Sequence, residues 1–148
     1  MSEIAHLAKR FVLNLVPSQV HEIERQWVHS ILSQDEFALW SNMMVQDRRH
    51  SVMVGRRFVK LRPTASQGEI AGALLHDVGK SSARLGTFAR VLATLVGPRT
   101  KRFRQYHDHE AIGAAMLQSI GSDEITVSMV EGSCDGELRQ ALNRADDI

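Results

Sequence analysis

The sequence predicts an all-α protein that folds as a single-domain helical bundle. Apolar residues recur at helical spacing along nearly the whole chain, and no stretch shows the alternation typical of a β-strand. The prolines, Pro17, Pro63 and Pro98, fall between the helical stretches, where proline begins or ends a helix. The 148 residues suffice for one domain with a hydrophobic core, and they contain no repeat or linker.

The apolar spacing predicts nine helices, several of which have capping signals at their ends. Ser33 followed by Glu36 predicts a capping box at the start of the third helix. Ser122, followed by two acidic residues, predicts the start of the eighth helix, and Gly132 predicts its end. The predicted helices cover residues 3–15, 18–32, 34–44, 47–61, 66–78, 83–96, 105–120, 122–131 and 135–147.

Composition restricts the expected location and partners. The net charge of +1 gives no reason to expect a membrane partner, and it makes nucleic acid an unlikely one. No run approaches the ~20 apolar residues that span a bilayer. The single cysteine, Cys134, suits a reducing cytosol, and the acidic Glu3 is atypical of a signal peptide. We therefore expect a cytoplasmic protein. The sequence is also compatible with a homo-oligomer.

Two polar residues, His76 and Asp77, lie at the end of the predicted helix at 66–78. Residues 70–75 are apolar almost all round, so this helix should be buried. A buried carboxylate is costly unless a cation or another partner neutralises it. Imidazole and carboxylate are also ordinary ligands of divalent first-row metals. The pair therefore predicts one part of a metal site.

Three further candidate ligands lie on predicted apolar helix faces. Taken alone, each histidine is better explained as a hydrogen-bonded core residue, and the aspartate as a cap or an ion-pair partner. Taken with His76 and Asp77, they favour a metal site. His107 and Asp147 are expected on the solvent sides of the same helices. The three faces are His50 with Met53, Val54, Phe58 and Leu61; His109 with Ile112, Met116 and Leu117; and Asp146 with Leu138, Leu142 and Ala145.

This arrangement resembles the HD domain superfamily of metal-dependent phosphohydrolases, in which the motif order is H…HD…D. The segment LLHDVGK at residues 74–80 is similar to the LLHDIGK segment of many members. Residues 109–117 are similar to the HPEIGAEIL segment of the HD-GYP branch, and residues 145–148 match its A-D-x-I ending. The resemblance covers about residues 45–148, so residues 1–44 are expected to be added N-terminal helices that pack on the core.

The resemblance implies roles for individual residues. His50, His76, Asp77 and Asp146 would bind a divalent metal, Mn, Fe, Mg, Co or Ni, with Zn also compatible. Lys80 would contact the substrate phosphate. His109 matches the position that helps to hold a second ion in two-metal members. The later histidines and the GYP motif of those members are absent, so cyclic-dinucleotide phosphodiesterase activity is not expected.

Three functions remain open at this point. The first is a phosphohydrolase that cleaves a small phosphoester, with nucleotides among the candidate substrates; Asp77, Lys80 and His109 would act in catalysis, and Arg49 and Lys80 would bind the phosphate. The second is a non-catalytic HD-type module that binds a phosphorylated ligand. The third, and weakest, is nucleic-acid binding through the basic helix at 47–62. Lys80 could equally be a lysine that interacts with the negative end of a helix dipole. The basic residues at 47–62 could be a solvated helix face.

Overall fold

The computed structural model describes residues 20–80 and 108–147, and the chain is all-helical over these ranges. They contain seven helices and no strand, and none of the helices is long and apolar enough to cross a bilayer. The predicted helices at 3–15 and 83–96, together with His107, lie outside the described residues. The seven helices are α1 (Glu22–Ile31), α2 (Gln34–Ser41), α3 (Val45–Leu61), α4 (Gln67–Leu75), α5 (Asp108–Ser119), α6 (Glu124–Glu131) and α7 (Gly136–Asp146).

The helix ends agree with the predicted signals at α2 and at the end of α6, where the predicted Gly132 is the C-cap with a φ of 86°, and differ at the start of α6. At α2 the capping box is confirmed, because Ser33 Oγ accepts from Glu36 N at 3.2 Å and Glu36 Oε1 accepts from Ser33 N at 2.8 Å. The residue that precedes α6 is Asp123, not Ser122. The Ser122 hydroxyl instead donates to Glu36 Oε2 at 2.7 Å, which is a contact between distant parts of the chain.

The α4 helix lies at the centre of the packing, in contact with both α3 and α6. Its residues Ala73, Leu74 and Leu75 are completely buried. Close approach is possible because α4 carries a small residue at Gly72, where an added Cβ would lie 2.7 Å from Met129 Sδ on α6. Val28 of α1 and Trp40 of α2 belong to the same buried cluster as Leu74. The described part of the N-terminal segment is thus packed onto the core.

The predicted apolar face of α3 is wrong at two of its positions. Met53 is 51% exposed and Leu61 is 38% exposed, whereas Val54 and Phe58 are fully buried. Ser51 is buried as well, because its hydroxyl accepts a hydrogen bond from Trp40 Nε1 at 2.8 Å. An apolar pattern does not reveal a polar residue that is buried with a hydrogen-bond partner. Successive residues of a helix point about 100° apart, so burying Ser51 turns part of the predicted face toward solvent.

Candidate metal centre

Four side chains from three parts of the chain converge beside the C-terminal end of α4. His50 comes from α3, His76 and Asp77 come from the turn after α4, and Asp146 comes from the last turn of α7. One ligand atom of each residue lies within 4.8 Å of all the others. These are the four residues predicted as metal ligands, and their cluster could hold a metal ion.

The end of α4 explains how two adjacent residues reach one point. Neighbours within a helix project about 100° apart and do not face each other. The sequence predicted a helix through residue 78, but α4 ends at Leu75. His76 and Asp77 lie in a turn, and residues 78–80 form a short 3₁₀ turn in which Lys80 N donates to Asp77 O at 3.0 Å. Breaking the helix brings both side chains into the cluster.

The cluster is connected through the two carboxylates. Asp146 Oδ1 accepts from His50 Nε2 at 2.8 Å and lies 3.3 Å from His76 Nε2. Asp77 Oδ2 lies 3.3 Å from the same His76 nitrogen. The other nitrogen of His76, Nδ1, donates to the carbonyl oxygen of Ala73 at 2.7 Å. Metal-binding histidines usually hold their second nitrogen in this way, which fixes the ring and directs Nε2 toward the metal.

Charge coupling shifts the pKa values of three of these groups. Burial acts to lower the pKa of His76, but hydrogen bonds to Asp146 and Asp77 outweigh it and raise that pKa to about 10. Burial acts to raise the pKa of Asp77, but His76 and Lys80 hold it well below its ordinary value. The hydrogen bond from His76 lowers the pKa of Asp146 to about 2. Without a metal, the raised pKa favours the protonated form of His76, which together with the Lys80 ammonium offsets the charge of the two carboxylates.

The cluster lies at the edge of the core, and not wholly inside it. His76 and Asp77 are buried, as expected from the apolar helix that precedes them. The side chains of His50 and Asp146 are 31% and 44% exposed, so the expectation that they face the interior is wrong. Both lie where α3 and α7 meet solvent.

The spacing of the ligand atoms fits a first-row divalent ion. Bonds of ~2.1 Å place neighbouring ligands about 3.0 Å apart and opposite ligands about 4.2 Å apart. The observed pairs at 2.8 and 3.3 Å, within an overall limit of 4.8 Å, need shifts of only a few tenths of an ångström. Two imidazoles and two carboxylates are also a donor set that Mn, Fe, Co and Ni accept.

Lys80 and His109 both contact Asp77, whereas Arg49 does not contact the cluster. Lys80 Nζ lies 3.1 Å from Asp77 Oδ2, with its side chain 48% exposed. His109 Nε2 lies 3.9 Å from Asp77 Oδ1, with its side chain 39% exposed. Lys80 thus pairs with a ligand carboxylate, not with the last carbonyls of α4. In the described part of the chain, the Arg49 side chain has no hydrogen bond or ion pair.

A contact between two glycines, which the sequence analysis missed, places His109 beside Asp77. A Cβ added at Gly79 would overlap the carbonyl oxygen of His109. A Cβ added at Gly113 would lie 3.2 Å from Gly79 N and 2.9 Å from Val130 Cγ1. The turn after α4 therefore rests directly on the first turns of α5. The signal in the sequence was a glycine immediately after His76-Asp77-Val78 and a second glycine one turn after His109.

The four-residue cluster could hold a cation, and the Lys80 ammonium and the His109 imidazole lie beside it. Comparisons with protein-family profiles, curated proteins and solved structures found no match for this chain. The resemblance to HD domains therefore stays a prediction from the sequence. What the structure adds is the convergence of the four ligands and the position of Lys80 and His109 next to them.

Proposed function

We propose that this protein is a metal-dependent phosphohydrolase of the HD type that cleaves a small phosphoester, such as a nucleotide. The proposal is carried by one observation, the convergence of His50, His76, Asp77 and Asp146 within 4.8 Å. These two imidazoles and two carboxylates would hold a divalent ion at the edge of the core, beside Lys80 and His109. When bound, a divalent ion supplies Lewis-acid chemistry, which acidifies water and neutralises phosphoryl charge.

The chain's own residues supply the remaining groups. Asp77 binds the ion and, through the 3.1 Å contact to Nζ, fixes the ammonium of Lys80 at the edge of the cluster. Lys80 binds a phosphoryl oxygen and stabilises the charge that develops there. His109, on the other side of Asp77, donates a proton from Nε2 to the leaving oxygen. Arg49, half-buried next to His50, is a candidate for binding a more distant part of the substrate.

The test combines metal analysis with turnover. Purified protein is stripped with a chelator and reloaded separately with Mn²⁺, Fe²⁺, Co²⁺, Ni²⁺, Mg²⁺ and Zn²⁺. Each form is assayed against nucleotides and simple phosphomonoesters and phosphodiesters. We expect turnover that requires the metal and stops on chelation. His76→Ala should lose both metal and turnover while retaining its circular dichroism, because it removes a ligand at the end of α4 and leaves the helices intact.

Two further variants separate binding from chemistry. His109→Ala should retain the metal and lose most of the turnover, since His109 is 3.9 Å from Asp77 and outside the four-ligand set. His29→Ala is the matched control: His29 packs edge-on against Phe37, away from the cluster, and its loss should leave turnover unchanged. Stoichiometric metal without turnover of any phosphoester would assign the non-catalytic binding function instead. Turnover insensitive to chelation would refute the proposal.

A further inference from the structure

The α3 helix carries a second residue, Arg57, that binds the end of α7. Arg57 follows His50 by two helical turns, so both side chains lie on the same side of α3. Its Nε donates to the carbonyl oxygen of Ala145 at 3.0 Å, and its Nη2 donates to that of Arg144 at 3.1 Å. Nη2 also lies 3.4 Å from the carbonyl oxygen of Asp147. These three carbonyls flank Asp146 on both sides.

Two of the carbonyls that Arg57 contacts, those of Arg144 and Ala145, are among the last four of α7. The last four carbonyls of an α-helix have no partner within the helix, and they carry its negative dipole end. A guanidinium is charged at every physiological pH, and its planar fork can bind several acceptors at once. Arg57 therefore fixes the backbone at the point where Asp146 leaves α7, and it does so without using the carboxylate.

Resting on the function proposed above, we propose that Arg57 is a positioning residue for the metal centre, which holds Asp146 in place for the ion. Because Arg57 donates only to backbone oxygens among the described residues, it leaves Asp146 Oδ1 to His50 and His76. The side chain of Asp146 is 44% exposed, so packing alone holds it weakly. Groups that orient a metal ligand commonly account for 10–100-fold in metal affinity.

The neighbouring Arg56 provides a matched comparison. Its Nε donates to Glu24 Oε2 at 2.9 Å, and its guanidinium lies 3.8 Å from the ring centroid of Trp27. Arg56 and Arg57 thus each connect α3 to another helix, Arg56 to α1 and Arg57 to α7. Only the second of these helices carries a ligand of the cluster. A purely structural role would make the two arginines equivalent with respect to metal affinity.

The experiment measures the affinity for Co²⁺ and Mn²⁺ by competition with a chromophoric chelator, at a temperature where circular dichroism shows each variant folded. We expect Arg57→Met to weaken metal binding roughly 10–100-fold. Arg57→Lys should restore only part of the affinity, because an ammonium does not span the three carbonyls. Arg56→Met should keep the wild-type affinity, even if its thermal midpoint falls as far as that of Arg57→Met.

A double-variant cycle tests whether Arg57 acts through Asp146. In an Asp146→Asn background, Arg57→Met should cause little further loss of metal affinity, because the ligand that it positions is already impaired. An equal loss in both backgrounds, or wild-type affinity in Arg57→Met, would overturn the role of Arg57 while leaving the proposed function standing. Wild-type protein that binds no divalent metal would overturn both.

Discussion

Two carboxylate networks lie at opposite ends of α4, and they complete their hydrogen bonding differently. At the N-terminal end, the buried Glu36 shares a cavity wall with Gln67 and Gly68. Its two oxygens have separate neutral donors, the backbone N–H of Ser33 and the hydroxyl of Ser122. At the C-terminal end, one oxygen of Asp146 is approached by the imidazoles of both His50 and His76.

The difference distinguishes a structural acid from a ligand. Glu36 is satisfied by donors that belong to a helix cap and a turn, so its network joins α2 to the start of α6 and is complete within the chain. Around Asp146 and Asp77 several groups point toward one shared location, and a proton on His76, together with the Lys80 ammonium, offsets their charge. Convergence on a common point, and not burial by itself, is the reason that the second network could hold a cation.

The sharpest test of this comparison exchanges charge for a neutral amide in each network. Asp146→Asn should weaken Co²⁺ binding at least ~100-fold, because a ligand matters no less than the groups that orient it. Glu36→Gln should leave the metal affinity unchanged. Asp147→Asn is the matched control, since Asp147 is exposed and lies outside the four-ligand set. Equal losses in Asp146→Asn and Asp147→Asn, measured by chelator competition, would contradict the assignment of the ligand face.

A second test uses pH, to which the two networks should respond differently. The raised pKa of His76, about 10, means that this group stabilises the metal-free fold fully below about 6.5 and that the stabilisation is lost as pH rises toward 10. A metal must displace the proton on Nε2, so metal affinity should rise roughly tenfold per pH unit over this interval. Titrations of Co²⁺ at several pH values would check the slope. Glu36→Gln should not alter it, and a flat profile would refute the exchange of proton for metal.

The smallest expected effect concerns stability at the Glu36 end. Ser122→Ala removes the hydroxyl that donates to Glu36 Oε2 at 2.7 Å, and should lower the free energy of unfolding by about 1 kcal/mol. Metal affinity should not change. Ser119→Ala is the control, because the Ser119 hydroxyl donates to a carbonyl of its own helix at 2.6 Å. This substitution should change the free energy of unfolding by no more than about 0.5 kcal/mol. Urea denaturation of the metal-free proteins measures both, and equal values would show that the Glu36 network is not stabilising.

Features with local causes were predictable from the sequence. Apolar spacing predicted all seven described helices. The Ser33–Glu36 capping box was predictable because its two partners are one turn apart. His76 and Asp77 were predictable as candidate ligands because they interrupt an apolar stretch, whereas the full set of four was implied by the resemblance to HD domains. The end of α4 at Leu75 could not be predicted, because the turn that follows it packs through Gly79 against α5, which is distant in the sequence.

Features with distant partners could not be predicted in the same way. Arg57 belongs to a run of basic residues, and from the sequence such a run is better explained as a solvated face. Its role depends on carbonyls 87–90 residues away, and that of Ser122 depends on an acid 86 residues away. Helical spacing reports which side of one helix is buried, and it carries no information about which other helix covers that side.

The separation of the ligands along the chain has a kinetic consequence. His50 and Asp146 are 96 residues apart, and His76 and Asp146 are 70 apart. Closing such long loops costs chain entropy before any contact compensates for it, so the docking of α7 is expected late in folding. An ion that needs all four ligands then stabilises the native state more than the transition state. It slows unfolding and leaves the folding rate nearly unchanged, so metal loading would set the lifetime of the folded protein.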